Sequence, residues 1–228
     1  MLNSYSPPVD EQTSFRAANP AVSIPAAVPT VRFSLRKRLF DVLVALLVSL
    51  TLLIWLLPLI GLLIRLTSPG PAFFVQLRTG QGGKPFRCLK FRTMTYEPMA
   101  TFRQATHNDV RVTPIGRFLR KTNLDELPQL LNVLLGDMSI VGPRPHPIQL
   151  DAQHWYAVAH YPGRYAIKPG LTGLAQVRGH RGETARQIDM EHRLKLDRFY
   201  IRKRTLPLDI KICLLTAASM IKGDKKAF

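Results

Sequence analysis

The chain is 228 residues long and carries 32 lysines and arginines against 15 acidic residues, a formal net charge of +17. That length leaves room for one soluble domain beside any anchor, and the charge implies a polyanionic partner: nucleic acid, anionic lipid head groups or phosphorylated substrates. The two cysteines, Cys88 and Cys213, have no metal or redox spacing and the six histidines form no HExxH pattern, which argues against a zinc site and fits a reducing compartment.

Residues 1–30 are rich in Pro, Ala and Ser without periodicity and read as a disordered tail. Residues 42–64 contain no ionisable side chain, and a run this apolar enters a bilayer. At about 1.5 Å per residue, 42–57 reaches about 24 Å and the whole run about 34 Å, against a hydrocarbon core of about 30 Å. Pro58 lacks an N–H and its ring displaces the carbonyl of Ile54, which predicts a kink or break there. Basic residues border both ends, with Arg32, Arg36, Lys37 and Arg38 before the run and Arg65 and Arg78 after it. Flanks of like charge favour a re-entrant hairpin with both ends in the cytoplasm over a straight crossing. The run is too long and begins too far into the chain for a signal peptide. This divides the chain into the tail, an anchor over 31–66 and a domain over 67–228 on the cytoplasmic side. Beside a bilayer each basic residue gains about 1 kcal/mol from anionic lipid, so the excess charge needs no nucleic acid to explain it.

Ser68-Pro-Gly-Pro71 stops the helix. Strands over 73–78 and 86–92 then flank Gly80-Gln-Gly-Gly83 as a hairpin. It is no Walker loop, because Pro85 stands at the Ser/Thr position and Arg78 at the first glycine. In Lys90-Phe-Arg-Thr-Met94 the alternation of side chains puts Lys90 and Arg92 on one face, as a solvated edge or as a phosphate clamp. A helix is predicted to begin between Asn123 and Asp125, to repeat Leu124, Leu127, Leu131 and Leu134, and to stop at Gly136. Asp125 and Glu126 complement the dipole of its first turn, Glu126 pairing with Asn123 as a capping box. With Arg120 and Lys121 just upstream, the same two carboxylates also suit nucleophilic chemistry on phosphate. Arg144, fixed between Pro143 and Pro145, suits anion binding or a plain turn. The loop from Lys168-Pro-Gly-Leu-Thr-Gly173 to Gly179 carries Thr172, Gln176 and Arg178 as polar tips, or is an ordinary surface turn. A polar helix over 183–204 and a terminal helix over 206–222 able to lie on a surface complete a membrane-associated α+β fold, mainly helical, with amphipathic surface helices.

Four motifs, in this order, carry a resemblance. Lys90-Phe-Arg-Thr-Met94, Arg120 with Leu-Asp-Glu-Leu-Pro-Gln over 124–129, Gly136-Asp-Met-Ser-Ile-Val-Gly-Pro-Arg-Pro145 and Lys168-Pro-Gly-Leu-Thr-Gly-Leu-Ala-Gln176 look like the bacterial sugar transferases. These are the monotopic polyprenyl-phosphate sugar-1-phosphate transferases that initiate cell-surface polysaccharides. The likeness covers about 35–222 and looks like the catalytic core alone; Leu57 precedes Pro58 where some members carry Ser-Pro. The resemblance implies that Asp125 attacks the β-phosphate of a UDP-sugar and expels UMP, and that undecaprenyl phosphate then takes the phosphosugar from the aspartyl intermediate. It implies Mg²⁺ neutralising the diphosphate with help from Glu126, and Arg120 and Arg144, supported by Lys90 and Arg92, on phosphate oxygens. Gly179-His-Arg-Gly-Glu-Thr184 resembles the glucose-1-phosphate transferases more than the galactose enzymes, which points to UDP-glucose. The implied setting is the bacterial inner membrane and its lipids, with the catalytic domain facing the cytoplasm, no nucleic-acid partner, and a homo-oligomer left open. Two other classes stand against it: a membrane-tethered basic nucleic-acid-binding protein, for which no recognisable motif speaks, and a scaffold subunit that has lost its chemistry.

Overall fold

Thirty-three residues, Leu35–Thr67, form one apolar helical run. The structure is a computed structural model, and it describes residues 28–31, 34–98, 101–106, 108–180, 182 and 187–222. The run consists of α1 (Leu35–Val48), a wider π-type turn over Ser49–Leu53, and α2 (Ile54–Thr67). The backbone stays helical through Pro58, and the irregularity expected there is displaced to the preceding turn. A proline removes one ladder hydrogen bond and crowds the turn before it, which a locally widened turn relieves.

Both ends of the run are tied to the same body. Near its start, buried Asp41 accepts from Ser139 Oγ at 2.8 Å, from Ile140 N at 3.1 Å and from Lys37 Nζ at 2.9 Å. Arg38 donates to the carbonyls of Val133 and Leu134. Near its end, Ile60 and Ile64 pack with Phe91 and Leu119. The opposite side keeps Leu43, Leu47, Leu50, Trp55, Leu59 and Leu66 more than half exposed. A continuous apolar surface of this kind marks a membrane or protein contact.

The hairpin forms as its glycine turn predicts. Strand β1 (Phe73–Thr79) pairs antiparallel with β2 (Pro85–Phe91), Phe73 opposite Phe91 and Thr79 opposite Pro85. Gly82 and Gly83 take φ of 70° and 81° in the turn, where a side chain would be strained. Val28, at the end of the expected tail, lays its N–H on Gly82 O, and Val31 bonds to Ala166 O; the tail's residues 1–27 lie outside the described residues.

Helix α3 (Pro114–Thr122) is capped by Thr113, whose Oγ1 accepts from Gly116 N at 3.0 Å. Left-handed Asn123 ends it, and a single 3₁₀ turn over Leu124–Glu126 leads to α4 (Gln129–Leu135), closed by Gly136 at φ 95°. The helix expected from residue 123 is thus broken in two. No capping box forms, because Asn123 is committed to the turn out of α3 and the Glu126 side chain points to cations instead. The inward face of α4 is Leu130 and Val133, with Leu127 buried just ahead of it, whereas Leu131 is 37% exposed, so the expected leucine stripe is rotated.

The feature without local signal is a second, parallel pairing between β3 (Ser139–Val141) and β4 (Gly170–Thr172). It needs backbone contact that only glycine allows: a Cβ on Gly170 would stand 2.1 Å from Gly142 N, and one on Gly173 2.2 Å from Gly142 O. Helices α5 (Ile148–His154), α6 (Leu174–Val177), α7 (Gln187–Lys203) and α8 (Leu206–Lys222) fill the remainder. Residues 183–186 of the expected polar helix lie outside the described residues. Phe86, Cys88, Leu130, Val133, Met138, Ile140, Tyr200 and Ile212 form the core beneath the anchor, and Trp155, Tyr161, Tyr165, Met190 and Leu194 form a second one. Each fully buried large apolar side chain contributes about 1.5–3 kcal/mol.

Candidate active site

Three elements deliver charge to one place. Lys90 comes from the end of β2, Asp125 and Glu126 from the 3₁₀ turn, and Arg144 from the turn after β3. Glu126 Oε1 accepts from Lys90 Nζ at 2.7 Å and from Arg144 Nη2 at 2.5 Å, while Oε2 accepts from Arg144 Nη1 at 3.0 Å. The fork-on-fork geometry is the strong form of the arginine–carboxylate pair. Asp125 Oδ2 stands 3.9 Å from the same Lys90 Nζ. Both carboxylates are nearly enclosed, Asp125 at 7% and Glu126 at 5% exposure, but in cationic company rather than among leucines alone. Arg120 donates from Nε to Thr93 Oγ1 at 2.9 Å and feels the charge of Asp125.

Burial lowers the Lys90 ammonium below its ordinary range, against the pull of Glu126. Burial works against Arg144 as well, but the charge and hydrogen bonds of Glu126 outweigh it and hold the guanidinium above its ordinary range. Arg120 is lowered by burial, with Asp125 opposing. Arg144 is therefore a fixed cation, and Lys90 is the group whose charge pH can change.

The turn carrying Arg144 is secured carbonyl by carbonyl. Pro143 O accepts from Gly170 N at 2.9 Å, Arg144 O from Arg164 Nη2 at 2.9 Å, Pro145 O from Arg78 Nη1 at 2.8 Å and His146 O from Thr79 N at 3.2 Å. Behind it, Arg164 Nη2 also binds Asp197 Oδ2 at 2.9 Å. Tyr161 and Tyr165 donate to Asp151 Oδ1, and the His146 ring lies against Arg164, Arg193 and Tyr161. Burial, then the charges of Arg164 and Arg193, push His146 well below the ordinary histidine range. It sits there as a neutral acceptor.

Of the residues singled out from sequence, Lys90, Asp125, Glu126 and Arg144 meet, and Arg120 joins them through Asp125. Arg92 goes elsewhere. It is 4% exposed and donates to Ser68 O at 2.7 Å and Pro69 O at 2.6 Å, so it closes the end of the anchor rather than facing Lys90's partners. The side chain lies past the last paired residue of β2, where strand alternation no longer holds. Thr172 Oγ1 bonds to Thr216 Oγ1 at 2.6 Å, Gln176 Nε2 donates to Leu171 O at 3.3 Å, and Arg178 closes α6; these contacts fasten the glycine loop to α8 and to itself. Sequence reasoning passed over Asp41, Arg78 and Arg164. Only Arg164 left a local signal, a charge set inside the aromatic segment Tyr161-Pro-Gly-Arg-Tyr165.

No group of three or more His, Cys, Asp or Glu able to hold a metal occurs among the described residues. Two adjacent carboxylates fit magnesium that arrives on a diphosphate and keeps several waters, not a resident ion in a protein cage. Glu126 has both oxygens engaged, so any cation drawing on it must displace Lys90 or part of the Arg144 fork.

A cationic pair clamps one carboxylate with a second carboxylate beside it, on a body to which a helix long and apolar enough to cross a membrane is pinned. The chain belongs to the bacterial sugar transferase family, whose profile matches residues 32–223. It is 49% identical over 198 residues to the UDP-glucose:undecaprenyl-phosphate glucose-1-phosphate transferase of Caulobacter vibrioides, covering 86% of this chain and 74% of that protein. It is 48% identical over 183 residues to the protein of the same name from Escherichia coli K12, covering 80% of this chain but only 39% of that longer protein. The exopolysaccharide production protein PSS of Rhizobium leguminosarum is 43% identical over 194 residues, covering 83% of this chain and 96% of that protein.

Proposed function

We propose that this chain transfers glucose-1-phosphate from UDP-glucose to undecaprenyl phosphate, releasing UMP, as the first membrane step of exopolysaccharide synthesis. The activities for which the relatives are named support the substrates, and the residues support the chemistry. Asp125 is the nucleophile. One of its carboxylate oxygens bonds to the β-phosphorus, the bond from that phosphorus to the bridging oxygen breaks, and UMP leaves with the electron pair. The lipid phosphate oxygen then bonds to the same phosphorus and the aspartate oxygen departs. One phosphoanhydride replaces another, so the overall reaction lies near equilibrium, and an acyl-phosphate is a reasonable waypoint. Arg144 and Arg120 hold phosphate oxygens, and Lys90 keeps Glu126 and Asp125 in register. Glu126 would hold Mg²⁺ by giving up Lys90 or part of the Arg144 fork, and the ion would neutralise charge on the diphosphate.

The single observation that carries this reading is the carboxylate pair: Glu126 is clamped by two cations while Asp125 lies 3.9 Å from one of them. Unlike the fully enclosed pair of Arg164 and Asp197, the cations here keep side chains 14% and 19% exposed, within reach of an arriving phosphate. Exchange of labelled UMP into UDP-glucose is expected to vanish in Asp125→Asn, and retention of more than a few per cent of it removes the nucleophile.

We infer that the anchor over 31–66 is re-entrant in the inner membrane, with any reversal carried by the widened turn at Ser49–Leu53 rather than by Pro58, and that the catalytic domain over 67–228 lies on the cytoplasmic side. Support comes from the pinning of both ends, Asp41 on β3 and Ile64 against Phe91 and Leu119, to one body. A perpendicular crossing would carry one end about 30 Å away from the other. Cysteines introduced at Ser34 and Thr67 should be labelled from the same face of the membrane; labelling from opposite faces means a crossing.

A further inference from the structure

A cavity of about 380 Å³ lies between the first turns of α1 and α8, away from Glu126 and its partners. Its wall carries Arg36, Lys37, Lys168 and Arg204 against a single carboxylate, Asp209. Lys37 Nζ already bridges Asp209 and Asp41 at 2.9 Å each, so the acidic charge of the wall is matched within the wall and the balance is positive. Burial, then the charge of Arg38, lowers the Lys168 ammonium against the pull of Asp41 and Asp137, a situation that an arriving anion relieves. The rest of the lining mixes apolar Val141, Ile167 and Leu206 with hydroxyl side chains such as Ser34 and Thr205. The same two helices carry large exposed apolar side chains, Leu35 at 83% and Leu39 on α1, Leu214 at 67% and Ile210 on α8.

We propose that this cavity binds the phosphate head group of an anionic membrane phospholipid, at a site separate from the one that handles the reacting phosphates. The proposal rests on the membrane reading above. Clustered cations match a phosphodiester, the apolar part of the lining matches the glycerol and the first acyl carbons, and the volume suits a small organic group. A soluble nucleotide has no use for the flanking leucines. Because Lys168 O faces Gly142 across the β3–β4 pairing, the occupied cavity abuts the strand that leads to Arg144.

The test uses the full chain in nanodiscs of phosphatidylglycerol and phosphatidylcholine, released into native mass spectrometry. The wild type should retain one phosphatidylglycerol, and K168Q/R204Q should retain at least fivefold less. R202Q/K203Q makes the same change in charge on exposed residues of α7 that do not line the cavity, and should behave as wild type. UMP release should stay within twofold in both variants. Equal retention by K168Q/R204Q and wild type overturns the site, as does one-for-one displacement of phosphatidylglycerol by undecaprenyl phosphate or UDP-glucose. Failure of the wild-type chain to enter nanodiscs overturns the membrane reading together with the site, whereas indifference to the charge pair overturns the site alone.

Discussion

Two charged regions lie back to back across residues 143–146, and they are built to opposite ends. In front, Lys90, Glu126 and Arg144 have side chains 14%, 7% and 19% exposed, and one carboxylate takes three donor contacts from two long side chains. Behind, Arg164 and Asp197 are 1% and 3% exposed, with two tyrosines, a neutral histidine and Asp151 completing the set. Both regions bury charge, which is expensive unless it is paired. The front keeps its cations where an incoming phosphate can compete for them. The back gives up adjustability to hold the backbone that aims Arg144. A site that must exchange one anion for another needs both kinds of burial, and here a single turn separates them.

The largest expected effect strikes the back. Arg164→Met leaves Asp197 buried without its partner and Arg144 O without its donor, which should cost about 3–5 kcal/mol of stability in chemical denaturation. An unchanged midpoint would mean that the arginine is not holding the turn. In front, Arg144→Ala should instead cost activity, about 10²–10³ in kcat as for loss of a positioned charge donor, with a stability loss limited to about 1–3 kcal/mol. If both variants lose only stability, the division between the two regions is wrong. The smallest effect is a matter of pH. Lys90 has its ammonium lowered by burial, so its charge is lost on raising the pH earlier than that of an exposed lysine, at a value below 10.5. The alkaline limb of kcat/KM should therefore fall below 10.5, and Lys90→Arg should move that limb upward, since a guanidinium stays charged. A limb that does not move assigns it to another group.

The front region was largely legible in the chain, because its members sit in short segments with their own constraints. Arg144 stands between two prolines, Asp125 and Glu126 follow two cations, and Lys90 ends a strand marked by a glycine turn. The back was not. Arg164 acts through a contact with residue 144, and nothing in either neighbourhood states that they meet. The same holds for Asp41, whose partners Ser139 and Ile140 lie about a hundred residues away. The glycines of the 168–173 loop read locally as a turn with polar tips, and in the fold their spacing also allows the close approach of β4 to Gly142. Two three-residue parallel strands leave too short a pattern to be read. Arg92 shows the complementary error: alternation was extended one residue past the strand, and that residue turned to the anchor.

The most direct test of the account is a covalent one. Quenched reactions with UDP-glucose labelled in the β-phosphate, without lipid acceptor, should leave the phosphosugar on the protein, and peptide mass spectrometry should place it on Asp125. Label that is absent from the wild type, or present undiminished in Asp125→Asn, contradicts the account.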